Sequence, residues 1–213
     1  MTDKQNFIEF LVGQDVLKFG TFTLNSGRQS PYFFNLGSVS SGAAYARLGA
    51  AYADAVLQSG IKFDLIFGPA YKGIPIAVAT SLALAERGVD VGVAYNRKEA
   101  KDHGEGGLLV GASVVGRVLM LDDVLTSGKA IRGAAELIRA QDADVAGVVV
   151  ALDRAEVMAD AGQTAVADLA QELAATVVSI AHVTDVIGYL QKTDAESDVL
   201  QAMHAYTRQY CVL

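Results

Sequence analysis

Apolar residues recur at helical spacing over residues 3–18, where Phe7, Ile8, Leu11, Val12 and Val16 fall on one face and Gly20 follows as a stop. Two β-prone pieces come next, 21–24 and 32–35, split by the turn residues Asn25, Ser26 and Gly27. Residues 41–57 return to helical spacing through Tyr45, Leu48, Tyr52 and Val56. From there the chain alternates. Strands are predicted over 63–67, 89–95, 118–121, 145–152 and 176–181, and helices over 74–87, 129–140, 165–173, 185–191 and 196–206. The run at 145–152 is apolar throughout, as a strand buried on both faces requires. Alternating strands and helices predict an α/β fold with a central, mostly parallel sheet flanked by helices. The N-terminal helix and short strands fit that repeat poorly and predict a small lobe of their own. The polar, glycine-rich stretch 96–107 interrupts the rhythm.

The 213 residues suit one domain, and 52% hydrophobic with 19% charged residues is a globular composition. The net charge of −7 argues against a nucleic-acid surface. One cysteine, Cys211, leaves no internal disulfide and no cysteine-based zinc site. The N-terminus lacks the basic start and apolar run of a signal peptide, and the long apolar run 73–85 is too short to span a bilayer. A cytoplasmic location without membrane association is expected.

Ligands of open parallel sheets sit at the carboxyl ends of the strands, so the residues that follow each strand matter most. In RVLMLDDVLTSGKA a strand ends in Asp122 and Asp123; Thr126, Ser127 and Gly128 lead into a helix. Free N–H groups at a helix start attract anions, and glycine lets the backbone come close. The carboxylate pair suits hydroxyls or a metal at a distance from that anion. A phosphorylated sugar satisfies both halves; a plain solvated turn is the alternative. A Walker loop would need Gly in place of Asp123 and Ser or Thr in place of Ala130. In FDLIFGPAYKGIPIA a strand ends in a turn with Gly68, Gly73 and Lys72, the last an anion contact or a surface lysine. In NRKEAKDHGEGG, Arg97, Lys98, Lys101 and His103 gather within seven residues. Such a segment is expected to be mobile, either a lid over a strongly anionic group or a solvated charge run. Arg154 follows Asp153, fit to grip a carboxylate or to pair locally, and Phe33 with Phe34 offers a flat wall for a planar base. His182 and His204 read as structural.

VLMLDDVLTSGKA resembles the 5-phosphoribosyl pyrophosphate (PRPP) motif of the type I phosphoribosyltransferases. With FTLNSGRQSPYFFN, FDLIFGPAYKGIPIA, NRKEAKDHGEGG and LDR in order, the chain is similar to the bacterial orotate phosphoribosyltransferases over most of its length. The resemblance implies a single type I domain over 1–213, with a hood of about residues 1–40 and a mobile catalytic loop of about 97–110. It implies a pentosyltransferase that joins PRPP to orotate, giving orotidine 5′-monophosphate and pyrophosphate in pyrimidine biosynthesis. Asp122 and Asp123 would face the ribose hydroxyls, Thr126, Ser127, Gly128, Lys129 and Ala130 would hold the 5′-phosphate, and Val124 and Leu125 would complete the PRPP-binding run. Tyr71, Lys72, Arg97, Lys98, Lys101 and His103 would meet the pyrophosphate. Phe33, Phe34, Thr126 and Arg154 would hold orotate. Lys101, with Asp122 and Asp123, is the catalytic candidate. Mg²⁺ would arrive mainly on PRPP, without an assigned protein ligand. A homodimer with sites shared between subunits is implied. One position departs: Asn25 stands where the family commonly has Lys, with Arg28 near enough in sequence to compensate. Two rival readings remain. A purine phosphoribosyltransferase shares the PRPP loop but gives Arg154 no carboxylate, and a PRPP-sensing regulator would need a nucleic-acid surface.

Overall fold

The alternating segments assemble into one six-stranded sheet in a computed structural model that describes residues 3–24, 26–101, 107–126, 128–158, 162–193 and 197–213. The chain runs α1 (Asp3–Gly13), β1 (Leu17–Thr23), β2 (Gln29–Phe34), a 3₁₀ turn (Leu36–Ser38), α2 (Gly42–Ser59), β3 (Leu65–Gly68) and α3 (Gly73–Glu86). It continues through β4 (Gly92–Lys101), β5 (Gly107–Gly111), β6 (Arg117–Val124), α4 (Lys129–Arg139), β7 (Asp144–Asp153), α5 (Ala165–Leu173), β8 (Thr176–His182), α6 (Val183–Lys192) and α7 (Ser197–Tyr210). The main sheet has the order β5-β4-β3-β6-β7-β8. Every neighbouring pair is parallel except β4 and β5.

Period-two alternation along the central strands builds two cores. Ile66, Leu119, Leu121, Val149 and Ala151 face α1, α2, α3, α6 and α7. Phe67, Val118, Met120, Val148 and Val150 face α4 and α5. The strand that is apolar throughout, β7, is therefore buried on both sides. Local signals start and stop the helices as expected. Ser41 Oγ accepts the Ala44 N–H at the start of α2, and Gly60 ends it at φ +68°. His182, read as structural, caps α6 in a reciprocal box with Asp185.

Strands β1 and β2 pair only with each other, antiparallel, in a sheet separate from the main one. A two-stranded ribbon is marginal alone. This one is held because Leu17, Tyr32 and Phe34 enter the same core as Phe7 of α1 and Tyr206 of α7.

Three expectations are corrected. The first helix stops at Gly13 rather than reaching Lys18, and Gly20 lies inside β1 instead of ending the helix. The segment expected as a loop from about 97 to 110 is strand at both flanks. β4 runs on to Lys101 and pairs with β5, which was not foreseen, because an antiparallel partner supplies the ladder that apolar burial does not. Finally, Asp122 and Asp123 belong to β6 itself, which extends to Val124 alongside β7.

Candidate active site

Chain order reverses at β3, whose neighbours are β4 on one side and β6 on the other, and the ends of β3 and β6 are where ligands of such sheets bind. The two turns singled out from sequence meet there. In the first, a Cβ on Gly68 would stand 2.3 Å from the Gly73 carbonyl oxygen, and one on Gly73 would stand 2.8 Å from the Leu121 carbonyl. Only glycine permits this close approach to β6. The Ala70–Tyr71 peptide is cis. The Ala70 N–H donates to Asn96 Oδ1 at 3.0 Å, which ties the turn to β4. Tyr71 is exposed, and Lys72 precedes α3 without a side-chain cap.

Lys72 Nζ donates to Asp123 Oδ2 at 2.7 Å, joining the two turns. Asp122 and Asp123 are both buried. Asp122 Oδ1 accepts the Asp123 N–H, and Asp123 Oδ1 accepts the Val124 N–H. Burial, and then the neighbouring Asp123 charge, pushes the Asp122 carboxyl up to about 7. Behind them the buried Tyr52 hydroxyl donates to the Asp122 carbonyl at 2.7 Å, and burial holds its phenol well above the ordinary range, so it stays a donor.

Beyond β6, Leu125 is buried and Thr126 exposed; Ser127 lies outside the described residues. Gly128 precedes α4 at φ +66° and offers no side-chain cap, so the first N–H groups of α4, from Lys129 and Ala130, are left for an anion. In the β4–β5 ribbon, Arg97 Nη1 donates to the Gly107 carbonyl at 3.1 Å and Lys98 is exposed. Lys101 ends β4; its side chain and His103 lie outside the described residues, as does Asn25.

The far end of the site is assembled from β2, the turn after β7 and α7. Arg154 is buried over the Tyr32 ring, 4.2 Å from its centroid. Its Nε donates to Glu156 Oε1 at 2.7 Å and its Nη2 lies 2.6 Å from the same oxygen in an ion pair, so the local pairing foreseen as an alternative is present. Tyr206 Oη donates to the same oxygen at 2.7 Å, and burial with that bond pushes its hydroxyl up to about 12. Arg28 donates to the Val157 carbonyl at 2.9 Å and lies 4.0 Å from Glu156 Oε2. The paired wall of Phe33 and Phe34 does not form. Strand alternation puts Phe34 on the buried side with Ser30 and Tyr32, whereas Phe33 faces outward and stacks on Phe22 at 5.5 Å.

Sequence reading missed Asn96, Tyr52, Ser30, Tyr32, Glu156 and Tyr206. Only Glu156 carried a local hint, an acid two positions from Arg154; the others act through contacts across the fold.

A glycine-shaped turn with its lysine, a carboxylate pair running into an uncapped helix start, and both at the switch point of a parallel sheet define a phosphoribosyl-transferring domain. The sequence profile of the phosphoribosyl transferase domain family matches residues 37–167. The orotate phosphoribosyltransferase of Vibrio cholerae serotype O1 is 51% identical over 208 residues, covering 97% of each chain. That of Neisseria meningitidis serogroup C is 49% identical over 213 residues, the whole of both chains. The crystal structure of the Francisella tularensis orotate phosphoribosyltransferase superposes with a TM-score of 0.88 at 37% identity, covering 97% of this chain and 100% of that one. The chain belongs to the orotate phosphoribosyltransferase family.

Proposed function

We propose that the chain transfers the 5-phosphoribosyl group of PRPP to orotate in pyrimidine biosynthesis. A bond forms between the orotate ring nitrogen and ribose C1 while the C1–pyrophosphate bond breaks, giving orotidine 5′-monophosphate and pyrophosphate. The observation that carries this reading is the union of the two turns through Lys72 and Asp123 at the switch point, with buried Arg154 at the other end.

In this reading the open N–H groups of α4, with Thr126 and Ser127, receive the 5′-phosphate, and Asp122 and Asp123 receive the ribose hydroxyls. Tyr71, Lys72, Arg97, Lys98, Lys101 and His103 meet the pyrophosphate. Charge builds on the leaving group as C1 becomes cation-like, so fixed cations aimed at it lower the barrier. Lys101 is assigned that role.

Three of the four oxygens of the acidic pair already accept a hydrogen bond: Lys72 takes Asp123 Oδ2, and backbone N–H groups take Asp123 Oδ1 and Asp122 Oδ1. That donor set fits Mg²⁺ carried in on the phosphates rather than caged by protein. Mg²⁺ supplies further neutralisation of the pyrophosphate oxygens. A homodimer whose β4–β5 ribbon serves the neighbouring subunit's site completes the reading. It is supported by α3, apolar nearly all round, whose Val78 and Leu82 lie exposed one turn apart. Among the described residues no helix is long and apolar enough to cross a membrane, and a cytoplasmic enzyme is proposed.

Loss of orotate absorbance on adding PRPP and Mg²⁺ tests the assignment. Adenine or hypoxanthine consumed in place of orotate would move it to the purine enzymes. PRPP binding without turnover of any base would make it a sensor. Sedimentation of the wild type against Leu82→Glu tests the dimer.

A further inference from the structure

We propose that Glu156 is a positioning residue that presents Arg154 to the acceptor's carboxylate, an inference that rests on Arg154 gripping that carboxylate. A guanidinium offers five N–H donors in a rigid plane, along a side edge (Nε and Nη2) and an end fork (Nη1 and Nη2). Glu156 Oε1 takes the side edge, with Nε at 2.7 Å and Nη2 at 2.6 Å. The Tyr32 ring lies against the guanidinium face, 4.2 Å from its centroid. Among the described residues Nη1 meets no acceptor, and Nη2 donates a long hydrogen bond of 3.3 Å to Ser30 Oγ besides its ion pair with Glu156. One edge and one face are therefore occupied while Nη1 is left for a planar carboxylate, with Nη2 able to join it in a bidentate grip by exchanging its long bond to Ser30.

Glu156 is itself held. Its Oε1 also accepts the Tyr206 hydroxyl at 2.7 Å, and Arg28 stands 4.0 Å from Oε2. The orientation of Arg154 thus traces through Glu156 of its own turn to Tyr206 of α7 and to Arg28 before β2. A long side chain fixed in advance loses less freedom on binding, so the clamp favours the acceptor's affinity. The Glu156 charge works the other way, because it partly neutralises the pull of Arg154 on a second carboxylate. The two hydrogen bonds and the ion pair converging on Oε1 favour orientation as the larger effect.

The test compares Glu156→Ala, Glu156→Gln, Tyr206→Phe and Arg154→Ala by steady-state kinetics with orotate and PRPP varied separately. Glu156→Ala should raise the orotate KM about tenfold, the scale of losing one charge-assisted hydrogen bond, and leave the PRPP KM within about twofold. Glu156→Gln keeps an acceptor oxygen in place and should stay within about threefold of wild type. Tyr206→Phe should raise the orotate KM about threefold. Tyr206→Phe also serves if Glu156→Ala does not fold, and an unchanged orotate KM in it would then overturn the proposal. An unchanged orotate KM in Glu156→Ala, or equal losses in the Ala and Gln variants, also overturns it. Arg154→Ala separates the two levels: a large rise in orotate KM there with no effect at Glu156 leaves the underlying reading intact, and no effect of Arg154→Ala removes that reading itself.

Discussion

At the end of the site proposed to take the sugar phosphate, the residues come from two short runs, Gly68–Gly73 and Asp122–Ala130, and much of what is offered is backbone: glycine clearances and the uncapped start of α4. At the end proposed to take the base, side chains are what is offered, and they are gathered from afar; Arg154 and Ser30 are 124 residues apart. The family profile, which spans 37–167, contains the whole of the first end but omits Ser30, Tyr32 and Tyr206 of the second. A site for a common group is thus written in contiguous motifs, whereas the part that distinguishes one acceptor from another is assembled by packing. Backbone recognition at strand ends tolerates change elsewhere. A side-chain clamp depends on three separate elements arriving together.

Substitutions can break that contrast. The largest effect is expected at neither end. Lys101→Ala should lower kcat by at least about a hundredfold, the scale of losing one transition-state donor, with smaller changes in either KM. A kcat within a few-fold of wild type would return the leaving-group role to Lys72 and its turn. Next comes Gly68→Ala, whose Cβ would meet the Gly73 backbone at 2.3 Å. It should cost about 1–3 kcal/mol in denaturant unfolding and raise the PRPP KM, leaving the preference for orotate over other bases unchanged. Altered base preference in this variant would mean that the two ends are not independently built.

A smaller effect follows from Asp122, pushed up to about 7 by burial and then by Asp123. Between the ordinary carboxylate range and that value, the folded chain holds a proton that the unfolded chain has released. The stability it contributes is therefore complete at low pH and is lost as pH rises through about 7. Unfolding free energies of the wild type and Asp122→Asn, measured from about pH 5 to about pH 8, should diverge, the wild type losing more with rising pH; parallel curves would show that Asp122 is ionised throughout. The smallest effect is assigned to Tyr52→Phe, which removes the bond to the Asp122 carbonyl. It should cost about 1 kcal/mol in thermal unfolding and shift the PRPP KM slightly.

The helices and central strands were legible because their periods are imposed by burial on one or two faces, as in the wholly apolar β7. The strand over 89–95 was legible, but its extension from Asn96 to Lys101 was not: those polar residues carry no burial period, and only the pairing of β4 with β5 makes them strand. At the site, Asp122, Asp123, Thr126, Gly68, Gly73 and Lys72 could be named because they lie at or just beyond strand ends and carry the turn chemistry that anions need. The link between Lys72 and Asp123, the hold of Asn96 on Ala70, and Tyr52 behind Asp122 could not, since each joins residues from different elements. Nor could the splitting of Phe33 from Phe34, which depends on which side of β2 meets the core.

By itself the sequence determined an α/β fold with its phosphate-binding turns at strand ends, because local backbone geometry and hydrophobic period are properties of contiguous residues. Only the tertiary structure decided that Arg154 lies buried on Tyr32 with one edge given to Glu156 and Nη2 bonded to Ser30. The reason is that the partners which orient a buried charge are chosen by packing, and packing brings β2 and α7 to Arg154 from opposite ends of the chain.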